Sequence, residues 1–351
     1  MTPAVWPRPR EGAVTKALAP SATGSLDTGD QALADGVLSG ERRALAKAIT
    51  LVESSRRDHQ ARAKRLLDAL APRAGNSIRL GISGAPGVGK STFIESLGLH
   101  VVRQGHRLAV LAVDPSSALT GGSIMGDKTR MERLSQDARA FIRPSPSGGT
   151  LGGVADKTRE AMLVCEAAGF DVVFVETVGV GQSEVAVAGM VDMFVLLQLP
   201  NAGDELQALK KGIVELADIV VINKADTDPR SAENARMQVQ GVLELLACAS
   251  PNWRPPVLAL SAATGAGIDE FWREVMRYRD AMTKSGELGE KRRRQAVDWM
   301  WSLIDSGLRS DFRHHAGVRG RLASLTEAVG RGNVTPAAAA HELLDQAKKE
   351  D

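Results

Sequence analysis

Residues 84–92 read Gly84-Ala85-Pro86-Gly87-Val88-Gly89-Lys90-Ser91-Thr92, a glycine-rich stretch that ends on one cation and two hydroxyls. The spacing fits G-x-x-x-x-G-K-[ST], whose glycines let successive backbone N–H groups curl around phosphate oxygens. Lys90 is then set to reach the β- and γ-phosphates of a nucleotide, and the Ser91 hydroxyl to ligate Mg²⁺. An apolar run precedes the motif and an amphipathic stretch follows it. That strand-then-helix setting is what the chemistry needs, because the helix start presents its positive end to the phosphates. A chance glycine-rich turn rarely brings lysine, serine, strand and helix together.

A second element chooses the base. Asn223-Lys224-Ala225-Asp226 closes another apolar run, where a base can lie outside the carboxyl ends of a sheet. The Asp226 carboxylate can accept from both N1–H and the 2-amino group of guanine, and adenine lacks that amino group. Asn223 and the stem of Lys224 would hold the loop and cover the ring. Alone, N-K-x-D is a weak signal; an ordinary strand-end turn could carry it. Here it lies about 130 residues after the glycine loop and is followed at a later strand end by Ser261-Ala262, whose backbone is suited to guanine O6.

The third set is acidic. Asp114 follows one apolar run and Glu176 ends another, so both carboxylates would sit near Mg²⁺, directly or through water. Glu176-Thr-Val-Gly179 stands where a D-x-x-G element is expected, leaving the Gly179 N–H for the γ-phosphate. Asp127, within the glycine-bearing segment 120–130, either completes the metal shell or is an ordinary solvated loop acid. Asp156 reads as a helix cap. After Gly179 stands Val180, where signalling GTPases carry a water-positioning Gln; the nearest is Gln182. Unassisted hydrolysis of GTP should therefore be slow.

These residues need a frame. Apolar runs at 78–83, 108–113, 172–176, 193–199, 219–223 and 257–261, with a short one at 140–142, alternate with amphipathic stretches. The pattern predicts an α/β, mostly parallel sheet covered by helices, over residues 76–283. Interior parallel strands are buried on both faces, which is why the runs are continuous rather than alternating. Leu45, Ile49 and Val52, then Leu66, Leu67 and Leu70, recur at helical spacing and predict a helical N-terminal extension over 29–75. Residues 1–28, with prolines at 3, 7 and 9, read as a flexible tail. From 284 to 351 the chain turns helical again. Val297, Met300, Trp301, Ile304 and Leu308 form a stripe too large for these helices to bury alone, and Thr335-Pro336 marks a helix start. Trp299 and Trp301 cannot share a face. One belongs to a core and the other to an interface, which points to a dimer arm.

Composition excludes several classes. The 44 basic and 42 acidic side chains leave a charge of +2, with no nucleic-acid or membrane footprint. No apolar run is long enough for a membrane helix and no secretory signal opens the chain; a cytoplasmic protein is expected. Cys165 and Cys248 lie in apolar surroundings and read as buried thiols.

Taken together, Arg43–Ser54, Gly84–Thr92, Ala112-Val-Asp-Pro-Ser-Ser117, Glu176-Thr-Val-Gly-Val-Gly-Gln-Ser-Glu184 and Asn223–Asp226 resemble the MeaB (ArgK-type) family over roughly residues 30–350. That resemblance implies a GTPase chaperone of adenosylcobalamin-dependent methylmalonyl-CoA mutase, GTP-gated loading and protection of the mutase cofactor, and a homodimer held by the C-terminal arm. It implies Ser91, Asp114, Asp127 and Glu176 as metal and catalytic positions, and a further switch-like loop over 200–211 ending in Lys210 and Lys211. Three rivals remain at this point. A nickel-insertion GTPase would need a histidine-rich tract or a Cys pair, whereas the six histidines are scattered apart from His314-His315. A transport-protein kinase has no use for a guanine-reading loop. A nucleotide-switched binding module would differ by its negligible hydrolysis.

Overall fold

A computed structural model describes residues 26–113, 131–144, 151–177, 183–200, 211–246 and 250–348. The helical pattern expected between 30 and 73 is broken twice, giving α1 (Thr28–Leu38), α2 (Arg42–Glu53) and α3 (Arg57–Leu70). Asp27 caps α1 by accepting from the Asp30 N–H at 2.7 Å. Gly40, at φ +77°, ends it, so that the Glu41 N–H reaches back to the Gly36 carbonyl at 2.9 Å. Asp30 is itself buried and takes a forked hydrogen bond from Arg62, which ties α1 to α3.

The seven expected strands are β1 (Ile78–Gly84), β2 (Leu108–Val113), β3 (Ala140–Arg143), β4 (Val172–Thr177), β5 (Met193–Gln198), β6 (Ile219–Ile222) and β7 (Val257–Ala259). They form one sheet in the order β3-β2-β4-β1-β5-β6-β7, with every paired neighbour parallel. The remaining helices are α4 (Lys90–Arg103), α5 (Glu132–Gln136), α6 (Leu151–Ala167), α7 (Ser183–Ala188), α8 (Lys211–Val214), α9 (Pro229–Leu245), α10 (Ile268–Lys284), α11 (Glu287–His314), α12 (Ala316–Gly330) and α13 (Pro336–Ala347).

Each continuous apolar strand resolves into two faces at period two. Leu80, Ile82, Leu108, Val110, Val172 and Phe174 join Phe93 and Leu97 of α4 and Phe271 and Val275 of α10. Ala109, Leu111, Val113, Val173 and Val175 join Leu45, Ile49, Val52 and Leu66 of the N-terminal helices, together with Met162 and Val164 of α6. Fully burying one such Leu, Ile or Phe contributes about 1.5–3 kcal/mol. Gly81 has no alternative residue: a Cβ there would lie 2.8 Å from Val187 and 2.9 Å from Val191, so α7 sits flush against β1.

The chain divides into two compact units, 1–293 and 294–351. Within the first, the start of α11 is fastened to the sheet by charge. Arg292 makes a two-pronged pair with the buried Asp192, both contacts at 2.7 Å, and Asp192 also accepts from the Arg79 N–H at 2.9 Å. Lys291 donates to the Asp192 carbonyl at 2.6 Å and to Asp218 at 3.2 Å. Burial works to raise the Asp192 carboxyl, but Arg292 and Arg79 together outweigh it and hold the group below the usual carboxylate range. Asp218 is moved the other way by its burial, which Lys291 offsets only in part.

In the second unit, Val318 and Leu325 of α12 pack with Ala339 and Leu343 of α13. Thr335 caps α13 by accepting from the Ala338 N–H at 3.2 Å, with Pro336 at the first helical position, as the sequence pattern predicts. The stripe of α11 stays uncovered, with Trp301 58% and Leu308 64% exposed. Trp299 is half-buried and Trp301 exposed. No helix among the described residues is long and apolar enough to cross a membrane.

Candidate functional site

The parallel strands β1, β4, β6 and β7 point their carboxyl ends the same way, and the described ones of the expected site residues follow those strand ends. β1 runs into the glycine loop at Gly84, where a Cβ would fall 2.5 Å from the Leu197 carbonyl oxygen. Gly87 (φ +78°) and Gly89 (φ +95°) take left-handed conformations that curl the loop back to the start of α4. Ala85, Pro86 and Gly87 are accessible, Val88 is fully buried, and Lys90, Ser91 and Thr92 form the first turn of α4.

Nζ of Lys90 donates to the Gly84 carbonyl at 2.7 Å and to the Ala85 carbonyl at 3.3 Å. Burial lowers the lysine's pKa, and the charges of Glu176 and Glu184 oppose that shift. Glu176 is buried near the end of β4, in register with Ile82 of β1 and Ala112 of β2. The adjacent Thr177 fixes that strand end by donating to the Ser83 Oγ at 2.9 Å. Asp114, Asp127, Gly179 and Val180, like Lys210 and Cys248, lie outside the described residues, as does the side chain of Lys211. Cys165 is fully buried, and burial pushes its thiol far above the ordinary range, as suits a structural cysteine.

The base loop is joined to the phosphate loop through one side chain. Asn223, 1% exposed, donates from Nδ2 to the Val88 carbonyl at 2.8 Å and accepts at Oδ1 from the Ala262 N–H at 3.0 Å. Three segments far apart in sequence thus meet on one amide. Gly89 makes this possible, since a Cβ there would stand 2.8 Å from that Nδ2. Lys224 is the sole described non-glycine residue at positive φ (+62°), and its Nζ crosses to the Gly87 carbonyl at 2.9 Å. Ala225 N–H donates to the Leu260 carbonyl at 3.0 Å, which leaves the Asp226 side chain turned to solvent. Ser261 is buried and folds its own turn: its Oγ accepts from Thr264 and its carbonyl from Gly265. The Ala262 N–H, expected from sequence to face a base oxygen, is engaged here by Asn223.

Ser91 offers a hydroxyl and Glu176 a carboxylate, oxygen donors of the kind a hard cation such as Mg²⁺ prefers over zinc or nickel. Among the described residues no cluster of three His, Cys, Asp or Glu side chains forms a metal site on its own. Glu184 received no individual role from sequence. It is 1% exposed in the first turn of α7, and nothing in its position eight residues after Glu176 signals that burial.

Comparison with known proteins agrees with this geometry. Residues 45–316 match the family model described as methylmalonyl Co-A mutase-associated GTPase MeaB. The GTPase ArgK of Escherichia coli is 52% identical over 262 residues, covering 74% of this chain and 79% of its own. The mouse (Mus musculus) methylmalonic aciduria type A homolog, mitochondrial, is 48% identical over 320 residues, covering 88% and 77%. The crystal structure of an LAO/AO transport system kinase superposes with a TM-score of 0.71 at 37% identity, covering 93% of this chain and 100% of that one. A phosphate loop welded to a guanine-type loop and a family match across both leave one assignment: the chain is a P-loop GTPase belonging to the MeaB family.

Proposed function

We propose that this GTPase is a Mg²⁺-dependent chaperone of adenosylcobalamin-dependent methylmalonyl-CoA mutase, gating cofactor loading and protecting the loaded enzyme in the cytoplasm. The partner rests on one observation, the match of 45–316 to a family described by its association with that mutase. The chemistry rests on the site. Glycine-loop N–H groups and Lys90 hold the phosphates, Asp226 reads guanine, and Asn223 keeps the two in register. Ser91 and Glu176, with Asp114 and Asp127, would hold Mg²⁺, which when bound neutralises charge developing on the phosphate oxygens. Nothing in the Glu176–Glu184 segment supplies a glutamine directly after Gly179, so we expect the isolated protein to turn over at about 10⁻⁴–10⁻² s⁻¹. Mutase should raise that rate by ordering the loops at 120–130 and 200–211 or by adding a group in trans.

The exposed stripe of α11 supports a homodimer, since Met300, Trp301, Ile304 and Leu308 on one helix need a covering surface and a second copy offers the same stripe. The deciding measurement is phosphate release from GTP with and without saturating mutase, alongside co-elution of the two proteins. Stimulation together with a complex supports the chaperone; equal rates and no complex refute it. Labelled γ-phosphate appearing on a protein acceptor instead of in solution would favour a kinase, the reading that the LAO/AO transport system kinase brings to mind.

A further inference from the structure

The three N-terminal helices carry a groove that none of the roles above uses. It has a volume of about 520 Å³ and is lined by α1, α2 and α3. Gly29 and Ala32 of α1, both exposed, have almost no side chain with which to fill it. Its floor is apolar, made by Leu33, Ala44 and Leu51. Its rim is basic. Arg43 and Lys47 stand four residues apart on α2, and so on one face of that helix.

The charges of the rim are not equivalent. Arg62 is already matched, since its guanidinium forks onto the buried Asp30 at 2.7 and 3.1 Å. Glu41 is turned back over the corner between α1 and α2, where a Cβ on Gly36 would stand 3.3 Å from its Oε2. Arg43 and Lys47 are exposed, and no ion pair among the described residues takes either of them. An apolar floor beside two unpaired cations calls for a ligand that is apolar on one side and negative along its edge. A helix with carboxylates at i and i+4 meets both demands, because its leucine-type side chains enter the floor while the acids align with Arg43 and Lys47. A nucleic-acid backbone would use the cations and leave the floor empty. Residues 1–25 do not suit the rim by charge, with Arg8, Arg10 and Lys16 against the single acid Glu11. We propose that this groove docks an acidic amphipathic helix of a partner protein. The docking rests neither on the nucleotide site nor on which enzyme the GTPase serves.

A fluorescein-labelled peptide of about 18 residues, long enough to form a helix, tests this by anisotropy with the full-length protein. It carries leucines at i, i+3, i+4 and i+7 spacing and glutamates elsewhere. One control peptide has lysine for every glutamate, and a second has serine for every leucine. The glutamate–leucine peptide should bind at roughly 10–100 μM in low salt, about tenfold tighter than either control. R43E/K47E should reverse the preference in favour of the lysine–leucine peptide. A32W fills the groove without altering charge and should weaken the glutamate–leucine peptide about tenfold. GDP binding reports that each variant is folded. If R43E/K47E does not fold, R43A/K47A takes its place and should lower affinity for the glutamate–leucine peptide about fivefold. Equal binding of the three peptides by the wild type overturns the proposal, as does an affinity that neither the charge change nor A32W alters.

Discussion

Replacing Asn223 by alanine tests whether one buried amide holds the base loop and the phosphate loop together. The change strands two groups at once, the Val88 carbonyl and the Ala262 N–H, which Asn223 now meets at 2.8 and 3.0 Å. Val88 and Ala262 are 0% and 4% exposed, so water has poor access to take over either partner. A stranded buried polar group costs about 1–3 kcal/mol. With two such groups and partial relaxation, about 2–4 kcal/mol is lost from the arrangement that binds nucleotide. GDP affinity should then fall roughly 30- to 1,000-fold. Asn223→Asp sharpens the test: it keeps the acceptor for Ala262 but turns a second oxygen onto the Val88 carbonyl, so it should bind no better than the alanine variant. Isothermal titration with GDP gives the constants, and a melting curve taken without nucleotide shows whether the fold has survived. A dissociation constant within about threefold of wild type for Asn223→Ala would refute the idea that this amide couples the loops.

Asp226→Asn should exchange guanine preference for xanthine, because the amide presents a donor where xanthine offers an acceptor; competition between GDP and XDP measures it, and unchanged GDP binding would remove Asp226 from the base site. Arg292→Ala leaves the Asp192 charge buried without its partner and should destabilise the first unit by about 3–5 kcal/mol in chemical denaturation. Because Asp192 is held below its unfolded value, the pair contributes fully above about pH 4 and its contribution disappears as pH falls through the lower folded value. Arg292→Ala should therefore flatten the acid limb of the stability curve, and an unaltered limb would assign it elsewhere. Truncation after Arg293 removes the apolar stripe yet keeps Lys291 and Arg292 on Asp192 and Asp218, so light scattering should report a monomer that still binds GDP. A dimer surviving that truncation would place the interface outside residues 294–351.

Much of the frame was legible because interior parallel strands announce themselves. Val172–Val175 is apolar without a break, and only a strand covered on both faces asks for that. The glycine loop and Asn223–Asp226 were legible because their chemistry fixes residue types at fixed offsets. The breaks at Gly40 and at 54–56 were not. Helical spacing continues across them, and only the reversal of Gly40 to positive φ marks the first. Expectations also stopped short where partners are distant. Asn223 finds Val88 and Ala262, and Arg292 finds Asp192, through folding rather than through any local pattern, so no window of sequence contains either constellation. Glu184 was hidden for a different cause: burial of a carboxylate leaves no mark on its neighbours in the chain.

The strand order carries a consequence for how the chain comes into being. β1 lies between β4 and β5, and Ile78 pairs with Val172 while Leu80 pairs with Met193. At ribosomal rates of about 5–20 residues per second, the apolar β1 waits roughly 5–20 s for its first neighbour, and β2 emerges meanwhile with no completed sheet to join. Nascent chains of this protein therefore hold unpaired strands, the isoleucine- and leucine-bearing β1 among them, for much of their synthesis. Guanine nucleotide offers no rescue during that interval if Asn223 and Ala262 close its site as proposed, because both are made later still. Nucleotide can stabilise the finished protein but not the growing one. Yield during expression should accordingly respond to translation speed and to holding chaperones, and be insensitive to the supply of GTP.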